Sequence, residues 1–504
     1  MRWLRKLIPW IFIAASLAVI VYLPDLGPEK YTDFSSLFKY ERLRQANSGY
    51  SVAICRNGSI FYQESFGHDG LGQPLAKDTP MYLGPSSEIL SGALLYSLSL
   101  RKSLSLEDDI RLYLPELPLT GVRRFRPLPE LDVPDPAAGK DIITIRQLAA
   151  HSLDLSDQDL KEFGSKISGL EAGVLDPEKF LRSRLKAGAL TRSRLTYRIL
   201  GTIMENAGRS SFDELLQSRL LIPLGMHGTT SRPDSLQGVA TGSGLFFGLP
   251  FPYDSRVPYI AAPADGIVTT AEDIARFLSY ITAPPRKGFA SLPPNSVAGL
   301  YQPLIPEGNT GFGWRITTEE GNRLVFQGGS VEGFSSRVVI WPERNAGIAI
   351  LSAQGGVIQS NVILPLLTSA AERLLFTGSS PRLFPLSRAL FIVGISLFVY
   401  VMSLLLQTAT AYSWIRTLRD RRETGKGNAY QNLILVRTVA GVALRAVLLL
   451  SAPLLVGKLI GRPLEYHDLL TMEPGGCAFF IIAMLAGGIR NISRLLWFHH
   501  LERS

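Results

Sequence analysis

Cysteine is nearly absent: two residues, Cys55 and Cys477, in a chain of 504. The first lies in the polar middle and the second inside an apolar run, so no disulfide framework is implied. Cys55, within an alternating strand pattern, reads as a small core residue. Histidine is scarce too, with six residues, and no Cys/His cluster has the spacing of a metal site. His499 and His500 are adjacent and would fall on different faces of a helix, which argues against a metal site in the tail. No metal and no other cofactor is expected. Nor is there a basic stripe interleaved with aromatics, so nucleic acid is not an expected partner.

What the chain does have is apolar sequence at its two ends. Mean hydropathy is +0.16 and formal net charge is +9. Arg2, Arg5 and Lys6 precede an apolar stretch from Leu7 to Leu23, at the short end of the roughly 17–25 residues that cross a bilayer as a helix. Ala14-Ala15-Ser16 sits mid-run and no clean cleavage site follows, so an uncleaved anchor is preferred to a signal peptide. Three more apolar segments run from about Ala389 to Leu406, Val439 to Ile460 and Gly475 to Ile489. Basic residues from Arg416 to Lys426, and Arg490, Arg494 and Arg503, place the intervening loop and the C-terminus on the cytoplasmic side, with the N-terminus. The loop from Gly461 to Pro474, with Glu465, Asp468 and Glu473, reads as external. The reading is a multi-pass protein of the cytoplasmic membrane: an anchor at 1–30, an extracytoplasmic domain at 31–380 and a membrane domain at 381–504. Arg445, inside one segment, is costly there; it reads equally well as functional or as snorkelling and paired.

The middle region reads as strands at both ends with helices between them. Ser51–Cys55 and Ser59–Tyr62 read as a hairpin around Asn57-Gly58, which tolerate positive φ. Ile89, Leu90, Ala93, Leu94 and Leu98 follow Gly84-Pro85 at helical spacing. Helical and loop-rich sequence continues to about Pro263. Strands return at 324–326, 336–341 and 347–351. The expected class is α+β, with an antiparallel sheet joining early and late strands, plus transmembrane α-helices.

Several stretches, in order, resemble the β-lactamase-related serine hydrolases, which include class C β-lactamases, penicillin-binding DD-peptidases and esterases. They are Leu106 to Ile110 with Leu114 to Leu117, Ile143 to Leu148 with His151-Ser152, Ile222 to Met226, Pro263 to Asp273, and Gly333 to Arg337 with Pro342 to Arg344. The resemblance implies a β-lactamase/DD-peptidase-like domain with three chemical motifs. Where the family carries the serine and lysine of Ser-x-x-Lys, this chain carries Pro85 and Glu88. Proline has neither a hydroxyl nor a backbone N–H, and in the family that N–H is an oxyanion-hole donor. Pro85 and Glu88 also read as an ordinary helix start, with proline in the first turn and an acid facing the helix dipole. Where the family carries Tyr-x-Asn, Arg192 and Arg194 stand; arginine cannot act as a general base. Tyr197 reads as a core aromatic. Where the family carries His-x-Gly or Lys-Thr-Gly, the chain reads Gln327-Gly328-Gly329.

No catalytic residue is therefore expected. The candidate ligand cleft comprises Ser86, Ser87, Glu88, Arg192, Arg194, Gln327 and Ser330, with Gly329 at a degenerate motif position. Glu88 is expected to pair with Arg192 or Arg194. His68, His151 and His227 read as structural. Ser99-Leu100-Arg101-Lys102 matches Ser-x-x-Lys as a string, but at the wrong end of the helix. The leading expectation is a pseudoenzyme that binds a cell-wall peptide or another membrane protein. The alternatives are an active hydrolase that uses Ser86 or Ser87, and a membrane scaffold or sensor working through its spans.

Overall fold

The computed structural model describes residues 27–114, 144–152 and 194–386, apart from gaps at 247–248, 254–256, 258–260, 284–291, 294, 307 and 320, and scattered helical positions between 436 and 487. The order is β1 (Lys30–Tyr31), α1 (Phe34–Arg44), β2 (Gly49–Arg56), β3 (Ser59–Gly67) and β4 (Met81–Tyr82). A 3-10 turn, Gly84–Ser86, leads into α2 (Ser87–Leu100). There follow α3 (Ile145–Ala149), α4 (Arg194–Gly208), α5 (Phe212–Leu216), β5 (Gly242–Phe246), β6 (Leu249–Tyr253), β7 (Val268–Thr269) and α6 (Ala271–Ile281). The domain ends with β8 (Arg315–Glu319), β9 (Asn322–Val331), β10 (Phe334–Trp341), β11 (Ala346–Ser352), α7 (Leu364–Thr377) and β12 (Ser380–Pro381).

One six-stranded antiparallel sheet, in the order β3-β2-β11-β10-β9-β8, joins the early and late strands as the patterning implies. The central strands are buried on both faces, so their residues alternate between two apolar layers. Ala53, Cys55, Val338, Ala349 and Leu351 join the layer of α2, α4 and α6. Tyr50, Val52, Ile54, Val339, Ile348 and Ile350 join the opposite layer, under α1 and α7. The first layer forms the cleft face of the sheet and the second its back face. Asn57 and Gly58 take φ of 53° and 78°, as the hairpin reading requires.

Helix α2 carries the site and is not a surface helix. Eleven of its 14 residues are buried, so the apolar spacing seen in sequence marks only part of its enclosure. Gly92 explains how it fits: a Cβ there would stand 2.4 Å from the Phe312 backbone.

The expectation of only helices and loops as far as Pro263 is corrected. Strands β5 and β6 form a hairpin there. Just beyond, β7 pairs with β4. Pro250 and Pro252 interrupt the alternation that would mark β6, and two-residue strands have no period to read. Strand β8 was also not foreseen. The four apolar end segments lie outside the described residues, save for the scattered helical positions. Among the described residues no helix is long and apolar enough to cross a membrane.

Candidate functional site

The site lies where the start of α2 meets β9. Gly84 takes φ +56°, and a Cβ there would stand 3.1 Å from Val331 Cγ1. The next residue, Pro85, is at the N-terminal end of the 3-10 turn, where its fixed φ suits the helix and its missing N–H breaks no helical bond. Its ring lies against Gly329 so closely that a Cβ on Gly329 would come 2.5 Å from Pro85 Cγ. The bare backbone of β9 allows this approach, and what approaches is the proline ring.

Ser86 and Ser87 are both fully buried. The Ser86 and Ser336 hydroxyls are 2.6 Å apart, and the Ser336 hydroxyl also bonds the Leu83 carbonyl. Ser87 Oγ accepts the Ile267 N–H at 3.1 Å. Both hydroxyls stitch the start of α2 to its neighbours. Ser330 donates to the Phe334 carbonyl and accepts the Gly356 N–H, each at 2.8 Å, and so braces the β9–β10 turn.

Glu88 is 2% exposed. Gln327 Nε2 donates to its Oε2 at 2.6 Å. The Gly328 N–H donates to Gln327 Oε1 at 3.2 Å, which turns the amide so that its NH2 faces the carboxylate. His151 Nε2 stands 3.5 Å from the same Glu88 oxygen. The other ring nitrogen, Nδ1, is 2.8 Å from Thr196 Oγ1. Tyr197, fully buried, lies beside the imidazole with ring centroids 5.4 Å apart. A chain from Thr196 through His151 and Glu88 to Gln327 thus links α4, the end of α3, α2 and β9.

His151 reaches this place by a backbone reversal. A capping box made by Thr144 and Gln147 starts α3. The helix ends at Ala150, and His151 takes φ +52° and turns back to the site. The sequence reading gives it a structural role outside the three motifs; the structure sets it beside Glu88. The sole signal was its place in the resembling stretch ending His151-Ser152. His68 lies elsewhere, its Nδ1 3.1 Å from the Asp69 carbonyl.

Arg192 lies outside the described residues. Arg194 opens α4, but its side chain is not described. The expected pairing of Glu88 with either arginine therefore falls outside what is described. A carboxylate that sequence reasoning passed over, Asp265, is 1% exposed in the turn before β7 and stands 3.5 Å from Arg198 of α4. Ser91 of α2 donates to the Pro263 carbonyl of the same turn at 2.6 Å. Among the described residues no group of three or more His, Cys, Asp or Glu could hold a metal ion.

The Beta-lactamase family model matches residues 34–370. Protein Flp of Staphylococcus aureus strain MRSA252 is 22% identical over 315 residues, covering 60% of this chain and 59% of that protein. The chain thus spans less than two-thirds of that relative. The octameric penicillin-binding protein homologue from Pyrococcus abyssi is similar in structure, with a TM-score of 0.53 at 19% identity, over 67% of this chain and 75% of that one. The crystal structure of SurE gives a TM-score of 0.50 at 20% identity, over 73% of this chain and 77% of that one. At these identities the structural likeness shows the fold.

Proposed function

Because the chain belongs to the beta-lactamase family, and carries proline where the resemblance implies a serine nucleophile, we propose that it is a membrane-anchored pseudoenzyme that binds a ligand or partner at the cell envelope. The contact between Pro85 and Gly329 carries this reading. The ring lies against the bare backbone of β9 at the position where the resemblance implies the nucleophile. It brings neither a hydroxyl nor an N–H. Losing one oxyanion donor typically costs about a hundredfold or more in rate, and losing a nucleophile on the order of a millionfold.

The bonds around Glu88 support the same reading. A carboxylate bonded by an amide, with an imidazole 3.5 Å away, stands where the resemblance implies a lysine, and the amide stands where it implies a histidine or lysine. The displaced-nucleophile alternative draws no support from Ser86 or Ser87, both buried and bonded. The ligand class that fits the family is a cell-wall peptide, with another membrane protein as the second candidate. Anchoring rests on the four apolar segments and their basic flanks. Exposed apolar residues at the described helical positions, among them Leu450 at 78% and Val439 at 52%, agree with it.

The test is covalent labelling of the purified full-length chain with a fluorophosphonate and with a labelled penicillin. No adduct is expected. The variant carrying both Pro85→Ser and Glu88→Lys is expected to stay unlabelled, since Arg192 and Gln327 still lack the family's groups. An adduct on Ser86 or Ser87, located by mass spectrometry, overturns the reading. Cysteine labelling at positions 425 and 467 from the two sides of the membrane tests the topology; opposite sides are expected, and the same side refutes it.

A further inference from the structure

The β5–β6 hairpin lacks charge and exposes aromatic side chains. No charged residue occurs from Ser235 to Tyr253. Register pairs Gly244 with Phe251 and Leu245 with Pro250. Along β6, Pro250, Phe251, Pro252 and Tyr253 are all exposed, the two aromatics at 38% and 39%. Proline at alternate positions of β6, whose outer edge no strand pairs among the described residues, removes N–H donors. Such donors are costly wherever water is scarce. Proline also blunts a free edge in water, but there it is usually joined by charged side chains, and here the rim carries exposed aromatic rings and no charge.

The root of this hairpin sits beside the chain's exit from the domain. Ser243 N–H donates to the Gly333 and Ala353 carbonyls at 3.0 and 2.9 Å. The Ser243 hydroxyl is 2.9 Å from that of Ser48. Three and four residues before Ser48, Gln45 Nε2 donates to the Phe384 carbonyl and Arg44 to the Leu383 carbonyl, both at 2.8 Å. Phe384 is itself 61% exposed. The apolar segment from Ala389 begins five residues further on. One end of the domain therefore carries the hairpin root and the exposed Phe384, five residues before the segment read as a membrane span.

We propose that the β5–β6 hairpin rests in the interfacial layer of the same bilayer that anchors the chain, with Phe251 and its flanking prolines among the lipid headgroups; the proposal rests on the anchoring reading above. The hydrogen bond between Tyr253 and the Glu332 carboxylate sets the depth. That charge stays at the water boundary, where tyrosine commonly sits. The apolar rim then enters by about one side chain, as interfacial elements do. The β9–β10 turn, whose Gly333 packs against Tyr253, Gly242 and Ser243, is then held close to the membrane surface.

The experiment uses the full-length chain with Cys477→Ser, reconstituted in vesicles of phosphatidylcholine and phosphatidylglycerol. Buried Cys55 stays unlabelled. An environment-sensitive fluorophore is placed at Phe251→Cys, with Pro252→Cys as a second site. Ile60→Cys on β3 serves as the aqueous control and Phe398→Cys as the anchor control. The expected result is quenching at 251 and 252 by nitroxides near the headgroups more than by deep ones, with several-fold protection from aqueous iodide relative to position 60. Iodide access at 251 equal to that at 60, while 398 is quenched by deep nitroxides, overturns the hairpin proposal and leaves anchoring intact. No lipid quenching at 398 or 251 removes both. Protection at 251 that grows with protein concentration without lipid quenching points to a second copy and also overturns it.

Discussion

Two glutamates are buried on opposite faces of one sheet, and their surroundings differ. On the back face Glu41, with no exposure, meets Tyr31 Oη at 2.8 Å, the Leu383 N–H at 3.0 Å, Gln45 Nε2 at 3.4 Å and Arg44 Nε at 3.4 Å. It ties β1, α1 and the exit segment together, with a cation among its partners. On the cleft face Glu88 meets the Gln327 amide and the His151 imidazole. The first is a clasp between the two ends of the domain. The second stands at a position that the family resemblance reserves for chemistry, and it welds α2 to β9 there. The same residue type thus serves closure on one face and replacement on the other.

The largest effect is expected at Glu41. Glu41→Leu removes the carboxylate that stands 3.4 Å from the Arg44 guanidinium, which is 4% exposed at its side chain. Breaking a buried pair in this way costs about 3–5 kcal/mol, read as a lowered urea midpoint. The back-face clasp should also loosen the exit segment, with faster hydrogen exchange at Leu383. Glu41→Leu at wild-type stability would break the comparison.

The cleft-face counterpart is Gln327→Leu. It removes a donor from a buried carboxylate and should cost about 1–3 kcal/mol, less than Glu41→Leu. Gln327→His is the sharper variant, because it restores a residue type of the family motif. It should not create labelling by a fluorophosphonate, since Pro85 is unchanged. Labelling of the Gln327→His variant would mean that the cleft retains a competent nucleophile.

Much of the scaffold was legible in the sequence because it is local. Asn57-Gly58 marked a turn, the β-branched and aromatic run from 338 to 341 marked a strand, and Gly84-Pro85 marked a helix start. The two-layer burial of β2 was not legible, since a strand buried on both faces shows a continuous apolar run rather than a period. The β5–β6 hairpin was hidden by Pro250 and Pro252. At the site, Glu88 and Gln327 were found as motif positions, but their mutual hydrogen bond depends on the Gly328 N–H orienting the amide. That is a fact of three-dimensional register. His151 was missed as a partner of Glu88 because its place depends on a positive φ after a five-residue helix. Nothing in a lone histidine announces that.

The smallest expected effect separates the two faces by pH. Burial pushes the Cys55 thiol on the cleft face up to about 11, from an ordinary value near 9. On the back face, burial raises the Tyr50 phenol well above its ordinary 10; this phenol donates to the Phe38 carbonyl. Both groups are acids held neutral by the fold, so the sign is the same for each. Their contribution is complete below the unfolded value and is lost as pH rises toward the folded one, because the unfolded chain releases the proton first. The onsets differ. The cysteine loss begins near pH 9 and the tyrosine loss near pH 10. Between pH 9 and 10, the parent should therefore lose stability relative to Cys55→Ala by on the order of 1 kcal/mol per pH unit, while its difference from Tyr50→Phe stays flat. Above pH 10 the second difference should begin to shrink as well. Urea midpoints of the three proteins at pH 8, 9, 10 and 11 would read this. A shared onset for both variants would mean that the two faces open together, and that the two layers separated by the sheet act as one cooperative unit in alkali.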